Sequence, residues 1–369
     1  MKKSLLLVSV FILLSLLLVS CDVSNIKEFW NEITGKETAL TPSEGLSFRL
    51  NEDGSSYSLF NIGICEDEHI VIPSTYNGLP VTKISFAALS ASFNVKIITI
   101  PDSVTTIEGS AFNHCYSLIT INIPASVTSI PSGFLEDCSS LTNIEVDKNN
   151  PNYMSIDGNL YSKDGKTLIR YALGKKETSF VIPDFVTTVG LGAFEDCVNL
   201  EYIEMSDSVT SLGSQAFSWC TSLKTVKLSN SLEEIPGLAF SYCKSLTEIV
   251  IPESVKIIGK TAFENCESIT EIKLPDAVTE IRDSAFVHCK SLANINIPSA
   301  VTYIGANAFL GCSALTKIVI PSSVNRVGMN AFKYCRSITI YCEANSSGSN
   351  WHTYWNREGA PVVWGYTVE

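Results

Sequence analysis

The sequence predicts an α/β-type repeat solenoid built on one parallel sheet, with few or no regular helices. Three observations predict it. Cys197, Cys220, Cys243, Cys266, Cys289, Cys312 and Cys335 recur every 23 residues, and Cys115 and Cys138 repeat the interval. Around each cysteine runs one template, I-x-x-x-A-F-x-x-C-x-S-L-x-x-I-x-I-P-x-S-V, whose opening residue is followed through Ile84, Ile107, Ile130, Val189, Leu212, Ile235, Ile258, Ile281, Ile304 and Val327. Within it, L-x-x-I-x-I ends in period-two alternation, the pattern of a strand with one buried face. Units of this length cannot bury their apolar side alone, so neighbours must stack into a continuous core.

At the amino terminus, Lys2 and Lys3 precede an apolar run from Leu5 to Val19. It has the size of a signal h-region and is short for a membrane span, which needs roughly 20 residues. Residues 1–20 therefore read as a signal peptide. The run ends in Leu18-Val19-Ser20-Cys21, which resembles a bacterial lipobox and implies that Cys21 accepts a diacylglyceryl group. Several acyl chains would anchor the chain stably, where one alone binds marginally. Residues 21–44 are polar and mixed and read as a lipidated tether.

The template gives one short strand per unit, parallel and in register at about 4.8 Å. Strands ending at Ile72, Ile100, Ile123, Val146, Ile182 and onward every 23 residues to Ile320 make eleven rungs, a stack of roughly 50 Å. Most end in proline (Pro101, Pro124, Pro183, Pro252, Pro275, Pro298, Pro321), which has no N–H and stops the ladder at a fixed point. The period breaks once: Cys138 to Cys197 is 59 residues, or 23 plus 36. The enlarged coil, 146–182, carries apolar runs at Asn159–Ser162 and Thr167–Tyr171 around Lys163-Asp164-Gly165-Lys166, and Asp-Gly between such runs signals a hairpin.

The repeated string resembles that of the BspA-like leucine-rich repeat proteins, over about Val71 to Ile340. Leu89 and Leu135 stand where Phe is usual, Ser92 where Cys is usual, and Ser206 and Ser229 where Pro is usual. The resemblance implies a curved, right-handed leucine-rich-repeat solenoid over 73–340 with its sheet on the concave side. It also implies an N-terminal β-hairpin cap at 45–72 and a C-terminal cap at 341–369 around Trp351, Trp355 and Trp364. Such proteins sit on bacterial surfaces and bind host or neighbouring-cell proteins.

Net charge is −12, from 26 basic and 38 acidic residues. With no recurring Lys/Arg cluster, nucleic acid is excluded as a partner. Twelve cysteines in an exported chain would ordinarily suggest disulfides. Here their column reads as a ladder of buried free thiols beside the phenylalanine column of Phe112 and Phe194 to Phe332, because parallel Cβ vectors suit a bridge poorly. No metal is expected, since His69, His114, His288 and His352 approach no ligand spacing. His114 and His288 each precede a ladder cysteine, in a slot filled elsewhere by Asp137, Asp196, Trp219, Asn265 and Gly311; it reads as solvent-facing, and its His-Cys pairs as coincidence. No catalytic motif occurs, so no enzyme activity and no cofactor is expected.

Three outward columns line the strands: Asn122, Glu145, Glu204, Lys227, Val250, Lys273, Asn296, Val319; Thr120, Asn143, Tyr202, Thr225, Glu248, Glu271, Asn294, Lys317; and Ile119, Thr142, Glu201, Lys224, Thr247, Thr270, Ala293, Thr316. Glu201 beside Lys224 and Glu204 beside Lys227 are cross-strand opposite charges. With Tyr202 and Glu248 they form one candidate protein-binding patch. Trp219 and Tyr242, in the same slot of consecutive coils, form a second. The expected protein is a lipid-anchored, extracytoplasmic monomer, on the outer surface rather than in the periplasm, that binds a protein partner in adhesion or neighbour-cell contact. A spacer lipoprotein and a carbohydrate binder are the alternatives, the latter weakened because the strand columns offer only Tyr202 as an aromatic.

Overall fold

The computed structural model describes residues 40–367, and residues 42–369 cluster as one unit. The expected signal peptide, Cys21 and most of the tether lie outside the described residues. No helix occurs among the described residues, so the α/β-type expectation gives way to an all-β solenoid. The reason is local. In each A-F-x-x-C segment the backbone turns left-handed twice. One site precedes the alanine, as at Gln215, Leu238 and Thr261; the other precedes the cysteine, as at Trp219, Tyr242 and Asn265, with φ of 55 to 61°. Two left-handed residues four apart break any helix.

The main ladder has thirteen rungs among the described residues, two more than the eleven expected. They comprise His69–Val71, Ile97–Thr99, Thr120–Ile123 and Asn143–Val146; then Ser179–Val181, Tyr202–Glu204, Thr225–Lys227 and Glu248–Ile249; then Glu271–Ile272 and Asn294–Ile295. Lys317–Ile320, Thr339–Cys342 and Val362–Trp364 end it, so the C-terminal segment continues the sheet parallel and in register. No ladder pairing joins Glu248–Ile249 to Glu271–Ile272, or Asn294–Ile295 to Lys317–Ile320.

The template's V-x-x-I segment forms a second parallel ladder, where one strand per unit was expected. It runs through Thr188–Val189, Ser211–Leu212, and from Glu234–Ile235 to Arg326–Val327. At its start Ser47–Leu50 pairs antiparallel with Tyr57–Asn61, which lies parallel to Leu79–Ile84. In the enlarged coil Tyr153–Ile156, Asn159–Ser162 and Thr167–Arg170 form an antiparallel meander, whose last strand joins Thr188–Val189 in parallel.

A third column of bonds closes each coil. Phe194, Phe217, Phe240, Phe263, Phe286 and Phe309 each donate their N–H to the alanine carbonyl of the following coil at 2.8–2.9 Å. The same phenylalanine carbonyls accept the thiol of the following coil's cysteine: Cys220, Cys243, Cys266, Cys289, Cys312 and Cys335 donate to Phe194 through Phe309 at 3.0–3.1 Å. The cysteine is thus a small apolar residue that also supplies a weak donor. All eleven described cysteines are free. Burial pushes the Cys115 thiol up to about 11 and Cys138 to about 12, and raises Cys243 and Cys266 further, which removes the reactive thiolate. The template serine acts in the same way, with Ser208 and Ser323 donating to Val186 and Val301 of the preceding coil at 2.8 Å.

Phe217, Phe240, Phe263 and Phe286 are fully buried and stack with centroids 5.3–5.4 Å apart and planes within 11°. The apolar interior falls into two clusters, one from Leu46 to Leu160 and one from Tyr161 to Trp351, which meet in the enlarged coil. One expected outward residue is buried: Thr120, 6% exposed, lies in the ladder between Ile97 and Asn143, and the carbonyl and side chain beside it face Gly158 of the meander.

Two outcomes follow. Phe263→Ala should lower unfolding free energy by roughly 3 to 5 kcal/mol, as other buried phenylalanine truncations do. Thr270→Ala, exposed on the same coil, should cost under about 0.5 kcal/mol. Denaturant titration measures both, and equal effects would overturn the facing assignment. In the native protein Cys197 to Cys335 should resist alkylation and should react after denaturation without reductant, read by mass; a need for reductant would show bridges.

Candidate functional site

The in-register ladder puts Tyr202 opposite Thr225 and Thr225 opposite Glu248, with Glu204 opposite Lys227. Ile203 and Val226 turn inward between them, so the flanking side chains share the outer face. Lys224 Nζ lies 2.8 Å from Glu201 Oε2, and Lys227 Nζ 2.6 Å from Glu204 Oε1. Tyr202 Oη donates to Glu204 Oε2 at 2.9 Å. Glu204 therefore holds both neighbours; the Lys227 hydrogen bond lowers its carboxyl, and the hydrogen bonds it accepts raise the Tyr202 phenol and the Lys227 ammonium. Glu248 is exposed in the next rung but joins no ion pair among the described residues. Val181 (58% exposed) and Val250 (73%) flank the set.

Where pairing stops after Asn294–Ile295, the same face opens a hollow of about 510 Å³ lined by Lys273, Asn296, Lys317, Glu343 and the half-buried Ile295. Asn296 lines this opening. Its side-chain amide accepts from Leu274 N and donates to Leu274 O, tying its strand to the preceding rung.

On the coil edge, Trp219 and Tyr242 stack 3.9 Å apart with planes 6° off parallel. The slot is left-handed in every coil with a ladder cysteine, which suits Asp137, Asp196, Asn265 and Gly311 and is uncommon for bulky residues; its side chains are exposed or half-buried, and Gly311 is buried. Trp219, 43% exposed, sits in it, as do Tyr242, Tyr334, His114 and His288. His114 in the same slot lies 2.9 Å from Asp137 Oδ2, while the buried Cys115 thiol donates to Leu89 O, so the pair forms no nucleophile and base.

A cleft that the sequence reading did not single out lies beside this edge. Leu168 pairs with Val189, and Tyr171 stacks on Phe194 at 5.2 Å. Tyr171 is three residues beyond Leu168, whereas Phe194 is five beyond Val189, so the enlarged coil's edge segment is two residues short. Three residues beyond Tyr171, as Cys197 is beyond Phe194, stands Gly174, where a Cβ would run into the Ser140 backbone. The missing residues leave a hollow of about 330 Å³ between the coils of Cys138 and Cys197, lined by Leu135, Glu136, Arg170, Leu191, Glu195 and Gln215. An adjoining hollow of about 380 Å³ is lined by Glu136, Asp137, Glu195, Asp196 and Trp219.

Arg170 fills part of the gap, donating from Nη1 to Gly192 O at 2.6 Å and from Nη2 to Leu135 O at 3.2 Å. Its Nε has no partner, although the residue is only 5% exposed. Burial pushes the Glu195 carboxyl up to about 7, against the pull of Arg170, and Asp196 up to about 6 with Asp137 adding to the rise. A signal was present in the sequence: the coil that breaks the period lacks A-F-x-x-C. Among the described residues no group of three or more His, Cys, Asp or Glu could hold a metal ion, and no helix is long and apolar enough to cross a membrane.

The family described as BspA type Leucine rich repeat region matches in six copies, over residues 59–166, 171–292 and 233–354. The pneumococcal vaccine antigen PcpA is 20% identical, with 88% of this chain and 84% of that one covered at a TM-score of 0.56. A leucine-rich repeat protein from Eubacterium ventriosum is 24% identical over 73% and 93% of the two chains, TM-score 0.50. A leucine rich cell surface protein from Faecalibacterium prausnitzii is 24% identical over 71% and 95%, TM-score 0.44. No curated protein matches. At these identities the likeness is one of fold, whereas the family pattern reads the repeats themselves. The chain belongs to the BspA-type leucine-rich repeat family.

Proposed function

We propose that this is a non-catalytic, lipid-anchored protein of the bacterial cell surface that binds another protein through the outer face of its main ladder. The observation that carries the reading is the Tyr202, Glu204 and Lys227 set with Glu201 and Lys224 beside it. Inward positions repeat from coil to coil and outward ones do not, yet here three outward side chains are fixed by one another and flanked by exposed Val181 and Val250. Pre-set polar groups around small apolar contacts are what a protein interface offers, and ordering them before binding reduces what association costs. In the curved, right-handed coil that the family resemblance implies, this face is the concave one. Trp219 and Tyr242 supply a second contact at the coil edge. The lipobox-like Leu18-Val19-Ser20-Cys21 supports anchoring.

Cys21→Ala should leave an unprocessed precursor that takes up no palmitate in metabolic labelling; labelling that survives the change would remove the lipoprotein reading. Reversing Lys224 and Lys227 to Glu should weaken capture of a partner from host or envelope extracts by roughly tenfold or more, beyond any loss of folded protein, because like charges then face Glu201 and Glu204. Trp219→Ala with Tyr242→Ala should match that loss only if the coil edge is the docking surface. Should both double variants fold and capture as the parent does, neither patch is the site.

A further inference from the structure

We propose that the cleft at the break in the repeat receives a lysine or arginine side chain from a protein partner; the inference rests on the protein-binding reading and names what its coil-edge contact takes up. Four carboxylates, Glu136, Asp137, Glu195 and Asp196, line the adjoining hollows, and only Arg170 and His114 stand against them. Arg170 makes no ion pair among the described residues and spends its terminal nitrogens on two backbone carbonyls. His114 is engaged by Asp137. Glu195 keeps a hydrogen bond from Gln215 at 3.1 Å and no cation within salt-bridge distance among the described residues, so the site is short of positive charge. An entering ammonium or guanidinium supplies it where burial reduces solvent screening.

Two further observations point to an occupant. Trp219 lines the acidic hollow with its indole backed flat by Tyr242, and an exposed aromatic face beside carboxylates is suited to a cation. The buried Arg170 lines the neighbouring hollow with its Nε–H unpartnered. A basic residue on a peptide segment brings a backbone carbonyl with it, which can accept that N–H, while its methylenes lie along Leu135 and Leu191. A free cation would answer the carboxylates alone.

The test uses the tripeptide acetyl-Ala-Lys-Ala-amide, its norleucine and glutamate counterparts, and the mature protein, with binding read by ligand-observed NMR. The lysine peptide should bind, and the norleucine and glutamate peptides should not. Glu136→Gln with Glu195→Gln should weaken it at least tenfold, and Trp219→Ala severalfold. Lys256→Glu, on the second ladder, should leave it within twofold and serves as the control for net charge. Each variant's thermal midpoint reports its folding, and Glu136→Gln alone stands in if the double variant is unstable. Equal binding of the norleucine peptide, preference for the glutamate peptide, undiminished binding by the carboxamide variants, or no binding at all would each overturn the proposal. Partner capture by the Lys224 and Lys227 reversal is measured separately, so failure here leaves the sheet-face reading standing or falling on its own result.

Discussion

Every coil must return after 23 residues with its peptide groups paired to coils on both sides, because a buried N–H or C=O left without a partner costs about 1–3 kcal/mol. Two ladders and the bonded turn column meet that demand. The third would form as a strand if its residues could stay extended, but the chain must also turn a corner there. It does so by going left-handed twice per coil, at positions such as Gln215 and Trp219. The corner brings the phenylalanine carbonyl to face the thiol of the next coil. The template letters A, F and C are then one requirement: a small residue where the backbone crowds, a ring to fill the coil, and a compact apolar donor for the ring residue's carbonyl.

This explains which parts of the fold could be read from the chain. The main ladder was legible because I-x-I repeats at a fixed interval, and parallel register follows once the interval is constant. The second ladder was not, since its strands, such as Glu234–Ile235 and Ile257–Ile258, are two residues long and show no alternation. The last two rungs escaped because Thr339–Cys342 and Val362–Trp364 sit where the 23-residue template has run out. Thr120 was misplaced for a related reason: its column faces outward along the array, but the meander folds back beside it through the close approach of Gly158 to Thr142 and Asn143.

The candidate sites divide in the same way. Pairs such as Glu204 with Lys227, or Trp219 with Tyr242, are adjacent because residues 23 apart are neighbours, so sequence spacing is spatial contact. The cleft depends on what the enlarged coil omits. Its position was visible as the interval of 59 between Cys138 and Cys197, but a period counts residues and does not reveal a shortened edge. That Arg170 reaches across to both Leu135 and Gly192 depends on how the shortened edge packs, which no spacing encodes.

The junction of the two apolar clusters at Leu160 and Tyr161 has a consequence for cooperativity. In a linear array, stability is a sum of each unit's own free energy and its coupling to the next, so a weak coupling divides the chain into separately melting segments. Here Cys197 lacks the phenylalanine carbonyl that its successors bond, and a single arginine spans the gap at the edge. The seam is therefore the place at which the array would divide if it melts in two steps. Glu136 lies on one side of it and Glu195 on the other, so a group held between them would fasten the two sides together.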